Sequence, residues 1–469
     1  MKSVTRVPAR YVPTGVRRFD GHPFIEALPT IPETKELLLL QLANYPDPPT
    51  RSVRQASELI RIMELSTLAD VVYPLPDYGE SAVDLTKIIR ESYVARNPLN
   101  AIDIQRRHAL ASNSADGLPF PSDWKSSAQG HIIVAITGMG KSTFWNAFSL
   151  RYPQLIEHTA YGDHPLAVLQ IVYIVLSVPH DATLKGLCIQ FFEEIDRILG
   201  NTEYSKVARS VRTIALMVQL MHTVATTVSL GIIVIDDVQN LRAAQGSTAE
   251  YLLNLFSEIL ERLGISLFLL STPAIDKALI NIVRNTRKSA SSGCVPMLPM
   301  AKNSDLWKDF TEAYWDYTFV KRKKRLTDSI RNAWWDASAG DTAFAVLAFM
   351  LTQQNAIGGT IEEVNEQGFQ RTMATNMAIL QPAIAALRSR KIAALQRFDD
   401  LLFGKDYWDL MHRIKTEPAA EPTTREEFNE VTGAEQESRQ SESKKNGKKA
   451  QAKDGDFNFP IEDPLLRYE

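Results

Sequence analysis

The stretch AITGMGKST, Ala135–Thr143, gathers the residue types that handle phosphate. A lysine and two hydroxyls follow a Gly-Met-Gly turn, between the apolar run HIIVAI and the helix-like TFWNAFSLRY. A strand, a glycine-rich turn and a helix in that order make a phosphate-binding loop. Backbone N–H groups around Thr137, Gly138, Met139 and Gly140 are expected to cradle phosphates, helped by the positive end of the helix. Lys141 would reach the outer phosphates, the Ser142 hydroxyl would ligate magnesium, and Thr143 would support an inner phosphate. The expected cofactors are therefore ATP and Mg2+. Ala135 stands where such loops usually begin with glycine.

A second string, GIIVIDDVQ, Gly231–Gln239, is an apolar strand ending in two acids. In an open α/β sheet, ligands bind beyond the carboxyl ends of the strands. Asp236 is expected to hold magnesium, and Asp237 to polarise an attacking water. Many such ATPases have Glu at the latter position. Asp draws the carboxylate back by about one carbon–carbon bond, and misplacement on that scale can cost ~100-fold in rate. Slow hydrolysis and a long-lived ATP state follow as expectations. The competing reading is that the acids cap a helix starting at VQNLRAA. A third string, ISLFLLSTPA, ends with Ser271 and Thr272. Thr272 would lie beside the γ-phosphate, or else simply cap the turn. Arg284, Arg287 and Lys288 follow in DKALINIVRNTRK. Arg287 is the expected arginine supplied to a neighbouring subunit's nucleotide; solvation at the surface is the alternative.

These residues need a scaffold. HIIVAI, LQIVYIVLSV, GIIVID, ISLFLLS and CVPMLPM read as strands separated by helices. Continuous apolar strands alternating with helices mean a parallel sheet covered on both faces. A single long helix is expected from about Tyr204 to Ser229. The fold class is α/β: a P-loop NTPase core with a parallel five-stranded sheet, a helical N-terminal domain, a helical C-terminal lid and a disordered tail. The expected boundaries are a basic arm at 1–33, helices at 34–110, the core at 111–303, the lid at 304–412 and the tail at 413–469. The arm carries Lys2, Arg6, Arg10, Arg17 and Arg18 against Asp20, and reads as solvated or as touching DNA or a partner. The tail is rich in Glu, Ser, Thr and Lys, too polar to offset chain entropy by burial. Its last residues, DFNFPIEDPLLRYE, set apolar anchors on that tether and read as a partner-binding motif.

Composition narrows the function classes. The chain has 469 residues, enough for about three units at roughly 150 each, with 45% hydrophobic and 23% charged residues. Its two cysteines, Cys188 and Cys294, cannot build a disulfide framework. The basic N-terminus lacks the apolar run of a secretory signal. Ala167–Val178 is shorter than the ~20 residues of a membrane span. A cytoplasmic protein is expected. The net charge is −3, so nucleic acid would have to be met by a local basic surface.

GHPFIEALP (Gly21–Pro29), RNPL (Arg96–Leu99), VPHDATLKGLCIQFF (Val178–Phe192), GIIVIDDVQNL and ISLFLLSTPA, in this order, resemble TnsC. TnsC is the AAA+ regulator of Tn-seven-type DNA transposons and is related to TniB. The resemblance runs from about residue 15 to about 405. It implies an ATP-binding regulator that assembles on target duplex DNA as a ring or filament of roughly six or seven subunits per turn. It also implies that the protein links a TnsD- or TniQ-type target selector to the TnsB and TnsA transposase subunits, in a bacterial, nucleoid-associated setting. Lys141, Ser142, Asp236, Asp237 and Thr272 match the family's functional positions; Arg287 with Lys288 matches an Arg-Arg pair in part. The tail is the expected contact with TnsA or TnsB.

Contact with DNA would be made through phosphates, without reading bases. Thr183 and Lys185, in the loop after the second strand, are the first expected contacts. Arg209 and Arg212 in ARSVRT, three apart on one expected helix face, are the second. The run KRKKR, Lys321–Arg325, reads as a solvated face of the lid. Two other functions fit the motifs: a generic AAA+ loader or insertion-sequence helper, and a STAND-type signalling NTPase that binds protein.

Overall fold

A computed structural model describes residues 4, 6–111, 120–243, 248–273, 291–389, 391–395 and 398. Arg284, Arg287, Lys288 and the whole tail lie outside the described residues, as do the calls made on them. The strands are β1 (Arg6–Pro8), β2 (Gly130–Ala135), β3 (Leu155–Tyr161), β4 (His164–Ile171), β5 (Tyr173–Ser177), β6 (Ile232–Asp236), β7 (Ser266–Ser271) and β8 (Cys294–Met297).

Five strands form the main sheet in the order β5-β6-β7-β2-β8, and every pairing is parallel. β2 and β7 are buried at every residue, as expected of strands covered on both faces. Register fixes what meets at the sheet's carboxyl edge. Ser177 pairs with Asp236, Ile235 with Leu269, and Val134 with Ser271. The ends of β5, β6, β7 and β2 therefore stand in line, and each bears a polar residue or the phosphate loop. This is the five-stranded parallel α/β core, with a phosphate loop at its carboxyl edge, that the alternating pattern and the loop motif lead one to expect.

The helix Pro76–Val94 packs across β2, β7 and β8. Pro76 opens it, where a missing N–H costs nothing. Tyr78, Ala82, Leu85, Ile89 and Tyr93 recur at three-to-four spacing and are buried, so one stripe faces the sheet. The Ser92 hydroxyl donates to the Gly231 and Gly264 carbonyls and accepts from Ser266 N–H, tying the far ends of β6 and β7 to this helix. Gly231 has no room for a side chain: a Cβ there would sit 2.4 Å from the Val172 carbonyl.

Three sequence readings need correction. The arm is not a solvated tether at Arg6–Pro8: β1 pairs in parallel with β3, which forms an antiparallel hairpin with β4. Arg6 pairs with Glu157, and Arg18 with Glu91 at 2.9 Å. LQIVYIVLSV is two strands, since the chain leaves the small sheet at Ile171 and enters the main one at Tyr173. The long helix is broken. One helix ends at Ser210, Val211 is extended, and Thr213 caps the next helix, Ile214–Thr227.

The C-terminal helices Asp305–Trp315, Asp328–Ser338, Thr342–Ala356 and Glu366–Ala374 pack around Trp334. Its ring stacks on Phe349 at 4.5 Å and Phe369 at 5.5 Å, and its indole N–H donates to the Ala345 carbonyl. KRKKR lies in the non-helical link between the first two of these helices. Lys321, Lys323 and Lys324 there pair with Glu362, Asp316 and Glu363.

A buried ion pair joins the N-terminal helix Glu58–Glu64 to this lid: Arg61 grips Glu362 through two nitrogens at 2.5 and 3.0 Å. Arg61 holds the Glu362 carboxyl down at about 2. A depressed carboxyl stabilises the fold above its ordinary range and loses that contribution as pH falls toward the depressed value. Arg61→Ala removes the buried partner and leaves Glu362 only the half-exposed Lys321, so the loss is expected at or below the about 3–5 kcal/mol of a buried charge left wholly unpaired. Denaturant unfolding of Arg61→Ala, Glu362→Ala and the double variant checks this. The double variant is expected to cost less than the two single losses added together, and simple additivity contradicts the pairing.

Candidate nucleotide site

The phosphate loop leaves β2 at Ala135 and enters the helix Lys141–Ser149. Phe144, Trp145 and Phe148 on that helix are buried. The Phe144 and Trp145 rings both meet Phe268 of β7, and Trp145 also meets Tyr173 of β5. The helix is thus locked over the sheet and its N-terminus is fixed. Gly138 and Gly140 have φ of 97° and 84°, the left-handed region that glycine enters freely.

Both glycines are also gripped from outside. Tyr78 donates to the Gly140 carbonyl at 3.1 Å, and a Cβ on Gly140 would lie 2.2 Å from its oxygen. From the lid, Thr342 Oγ1 and Ala343 N–H donate to the Gly138 carbonyl at 2.5 and 3.1 Å. Asp341 caps the lid helix by accepting from Phe344 N–H. A Cβ on Gly138 would lie 2.4 Å from the Asp341 carboxylate. Lys141 donates to the Ala135 and Ile136 carbonyls. Thr137, Ser142 and Thr143 are exposed, while Met139 is fully buried and offers the loop only its backbone.

The acids stand opposite. Ser142 Oγ lies 3.5 Å from Asp236 Oδ2, so the hydroxyl and carboxylate expected to share a cation are brought together. Hard oxygen donors in small number suit Mg2+, which keeps most of its shell for water and phosphate. Burial raises the Asp236 carboxyl, and the Asp237 N–H bond pulls it back. Asp237 sits at φ 54°. Its Oδ2 accepts from Ser177 Oγ at 2.8 Å and its Oδ1 from Gln239 Nε2 at 3.0 Å. It bonds side chains and caps no helix N–H with its carboxylate. Thr272 is buried, its N–H donates to Gln239 Oε1 at 3.2 Å, and its hydroxyl has no partner among the described residues.

The expected DNA residues stand on two helices and on the chain that follows the second. Thr183 caps the helix Leu184–Leu199, accepting from Gly186 N–H, and its hydroxyl also donates to Asp181. Lys185 is exposed on that helix's first turn. Arg209 pairs with Glu193 at 2.5 Å, and Arg212 lies beyond the end of Arg209's helix. Arg209 and Arg212 therefore share no helical face, because the chain turns extended at Val211. The loop after β5 is tied to the acids: Val178 N–H donates to the Asp236 carbonyl and its carbonyl accepts from Asn240.

Sequence reasoning missed Tyr78, Ser177, Gln239, Asp341 and Thr342. Ser177 and Gln239 carried a signal, since Ser177 ends a read strand and Gln239 follows three residues after the end of another. Tyr78 and Asp341 are distant in sequence and carried none beyond a helix stripe and a helix cap.

Residues 125–279 match the AAA domain family. No curated protein matches the chain. Among solved structures, the Walker-type ATPase of Pyrococcus abyssi is similar with a TM-score of 0.40 at 14% identity, over 63% of this chain and 81% of that one. Cdc6p from Pyrobaculum aerophilum gives 0.37 at 14%, over 63% and 83%. The Aeropyrum pernix Orc1 protein, solved in complex with DNA, gives 0.36 at 13%, over 55% and 62%. No helix among the described residues is long and apolar enough to cross a membrane.

The buried cap Asp341 makes stability depend on pH. Burial pushes its carboxyl up to about 7, against the pull of the Phe344 and Ala343 N–H groups and Lys141. A carboxyl raised in the folded state binds more protons there than in the unfolded chain between its ordinary value and about 7. Stability from this group therefore falls as pH rises across that window and stays low above it. Asp341→Asn keeps a good cap and removes the titration. The melting-temperature difference, variant minus parent, is expected to shift in the variant's favour between pH 5 and pH 8. A difference that does not change with pH contradicts the assignment.

Proposed function

We propose that the protein is an ATP-hydrolysing nucleotide switch that assembles on duplex DNA and regulates transposition. The observation that carries the nucleotide reading is the meeting of the phosphate loop with Asp236, Asp237 and Thr272 at one sheet edge. Lys141 and the loop N–H groups bind the polyphosphate. Ser142 and Asp236 would hold Mg2+, which when bound supplies positive charge against the phosphate oxygens. Asp237 accepts a proton from, and orients, the attacking water. Thr272 offers its buried hydroxyl, which has no partner among the described residues, beside it. Arg287 of a neighbouring copy would supply the further positive charge.

The transposition reading rests on the TnsC-like strings, and the partners come with it: a TnsD- or TniQ-type selector, and TnsA or TnsB at the tail. Phosphate contact by Lys185 is favoured over Arg209, which already pairs with Glu193, and over Thr183, whose hydroxyl is already engaged by Asp181 and Gly186. Such binding tolerates any sequence and weakens with salt.

Two experiments test the reading. Lys141→Ala is expected to abolish ATP-dependent assembly on random duplex, seen by electron microscopy with a non-hydrolysable ATP analogue. Equal assembly of variant and parent without nucleotide rules out the switch. Asp237→Glu is expected to hydrolyse ATP at least as fast as the parent, since reach limits the native acid; a large loss of rate rejects slow hydrolysis by a short acid.

A further inference from the structure

Gln239 plays no part in the assignments above, yet its carboxamide spans two strand ends. Its Nε2 donates to Asp237 Oδ1 at 3.0 Å, and its Oε1 accepts from Thr272 N–H at 3.2 Å. The amide has one satisfying orientation. Turned over, it would set an oxygen against a carboxylate and an NH2 against an N–H. Ser177 holds the other oxygen of Asp237 at 2.8 Å. With Ser177 alone, the carboxylate has one anchor and is free to swing about it between rotamers. With Gln239 as well, both oxygens are fixed, and fixed relative to the β7 end where Thr272 sits.

We infer that Gln239 is a positioning residue that orients the Asp237 carboxylate and locks it to the end of β7. This rests on the reading of the site as an ATPase. Gln239 touches no substrate in this role; it acts through Asp237. The demand is greater here than with a longer acid, because a short side chain has less reach to recover from a wrong angle. Displacement of about 1 Å can cost ~100-fold in rate.

The test measures ATP turnover and binding of a fluorescent ATP analogue for the parent, Gln239→Ala, Gln239→Glu, Asp237→Asn and Gln239→Ala/Asp237→Asn. Melting temperatures identify any variant that fails to fold. Gln239→Ala is expected to lower kcat by roughly tenfold or more while KM and analogue affinity stay within about twofold. Gln239→Glu keeps size but replaces the donor with an acceptor, and is expected to fall at least as far. In the Asp237→Asn background, Gln239→Ala is expected to change kcat by less than about twofold, because nothing remains to be oriented. The inference is overturned by an unchanged or raised kcat in Gln239→Ala, or by the same fractional loss in both backgrounds. If Asp237→Asn hydrolyses ATP as fast as the parent, the role given to Asp237 fails and this inference with it; if the parent does not hydrolyse ATP, the ATPase assignment itself fails.

Discussion

The site depends on the register of parallel strands. A side chain at a strand end points where the pairing puts it, and a slip of one residue turns it to the other face. Here the pairing of Ser177 with Asp236 and of Val134 with Ser271 brings four ends level. That register is held from the opposite edge. Ser92 binds backbone at Gly231, Gly264 and Ser266, while Tyr93 donates to the Ser229 carbonyl. The helix Pro76–Val94 is therefore part of the sheet core in physical terms: it fixes the strands whose far ends carry the acids.

The same helix reaches the phosphate loop through Tyr78, and the lid reaches it through Thr342 and Ala343. The loop is thus a joint between three parts of the chain. Its two left-handed glycines leave both carbonyls pointing outward to be gripped. Nucleotide binding that moves this loop must also move, or break, hydrogen bonds to a lid helix and an N-terminal helix. A ligand shifts a conformational equilibrium only through contacts that differ between the states. These carbonyl contacts are where such a difference can be read by the rest of the chain.

The main sheet was legible because its strands are uniformly apolar and end in chemistry: HIIVAI, GIIVID and ISLFLLS each gave both element and site. Where period alone had to decide, the reading failed. LQIVYIVLSV holds no polar break at Val172, so the change of sheet is invisible locally. ARSVRTIALM has continuous helical spacing, and only the Thr213 cap reveals the second start. The strand at Arg6–Pro8 pairs with a partner some 150 residues away, which no local pattern encodes. Site residues supplied by the lid and the N-terminal helix were missed for that same reason.

Asp237 shows why a residue type can answer two demands at once. It stands at φ 54°, a conformation that costs most L-residues roughly 1–2 kcal/mol and that Asp tolerates better than longer side chains. The backbone there must turn sharply, since Asp237 N–H donates to Asp236 Oδ1 and the chain then enters a short helical turn at Val238. A short acid suits that turn; a longer one suits the reach to a water. The two demands separate experimentally, because the backbone term acts on stability and the reach acts on turnover. The turn alone is reason enough for a short acid at this position, and on the proposed ATPase reading the Ser177 and Gln239 bonds keep its carboxylate aimed despite the lost methylene.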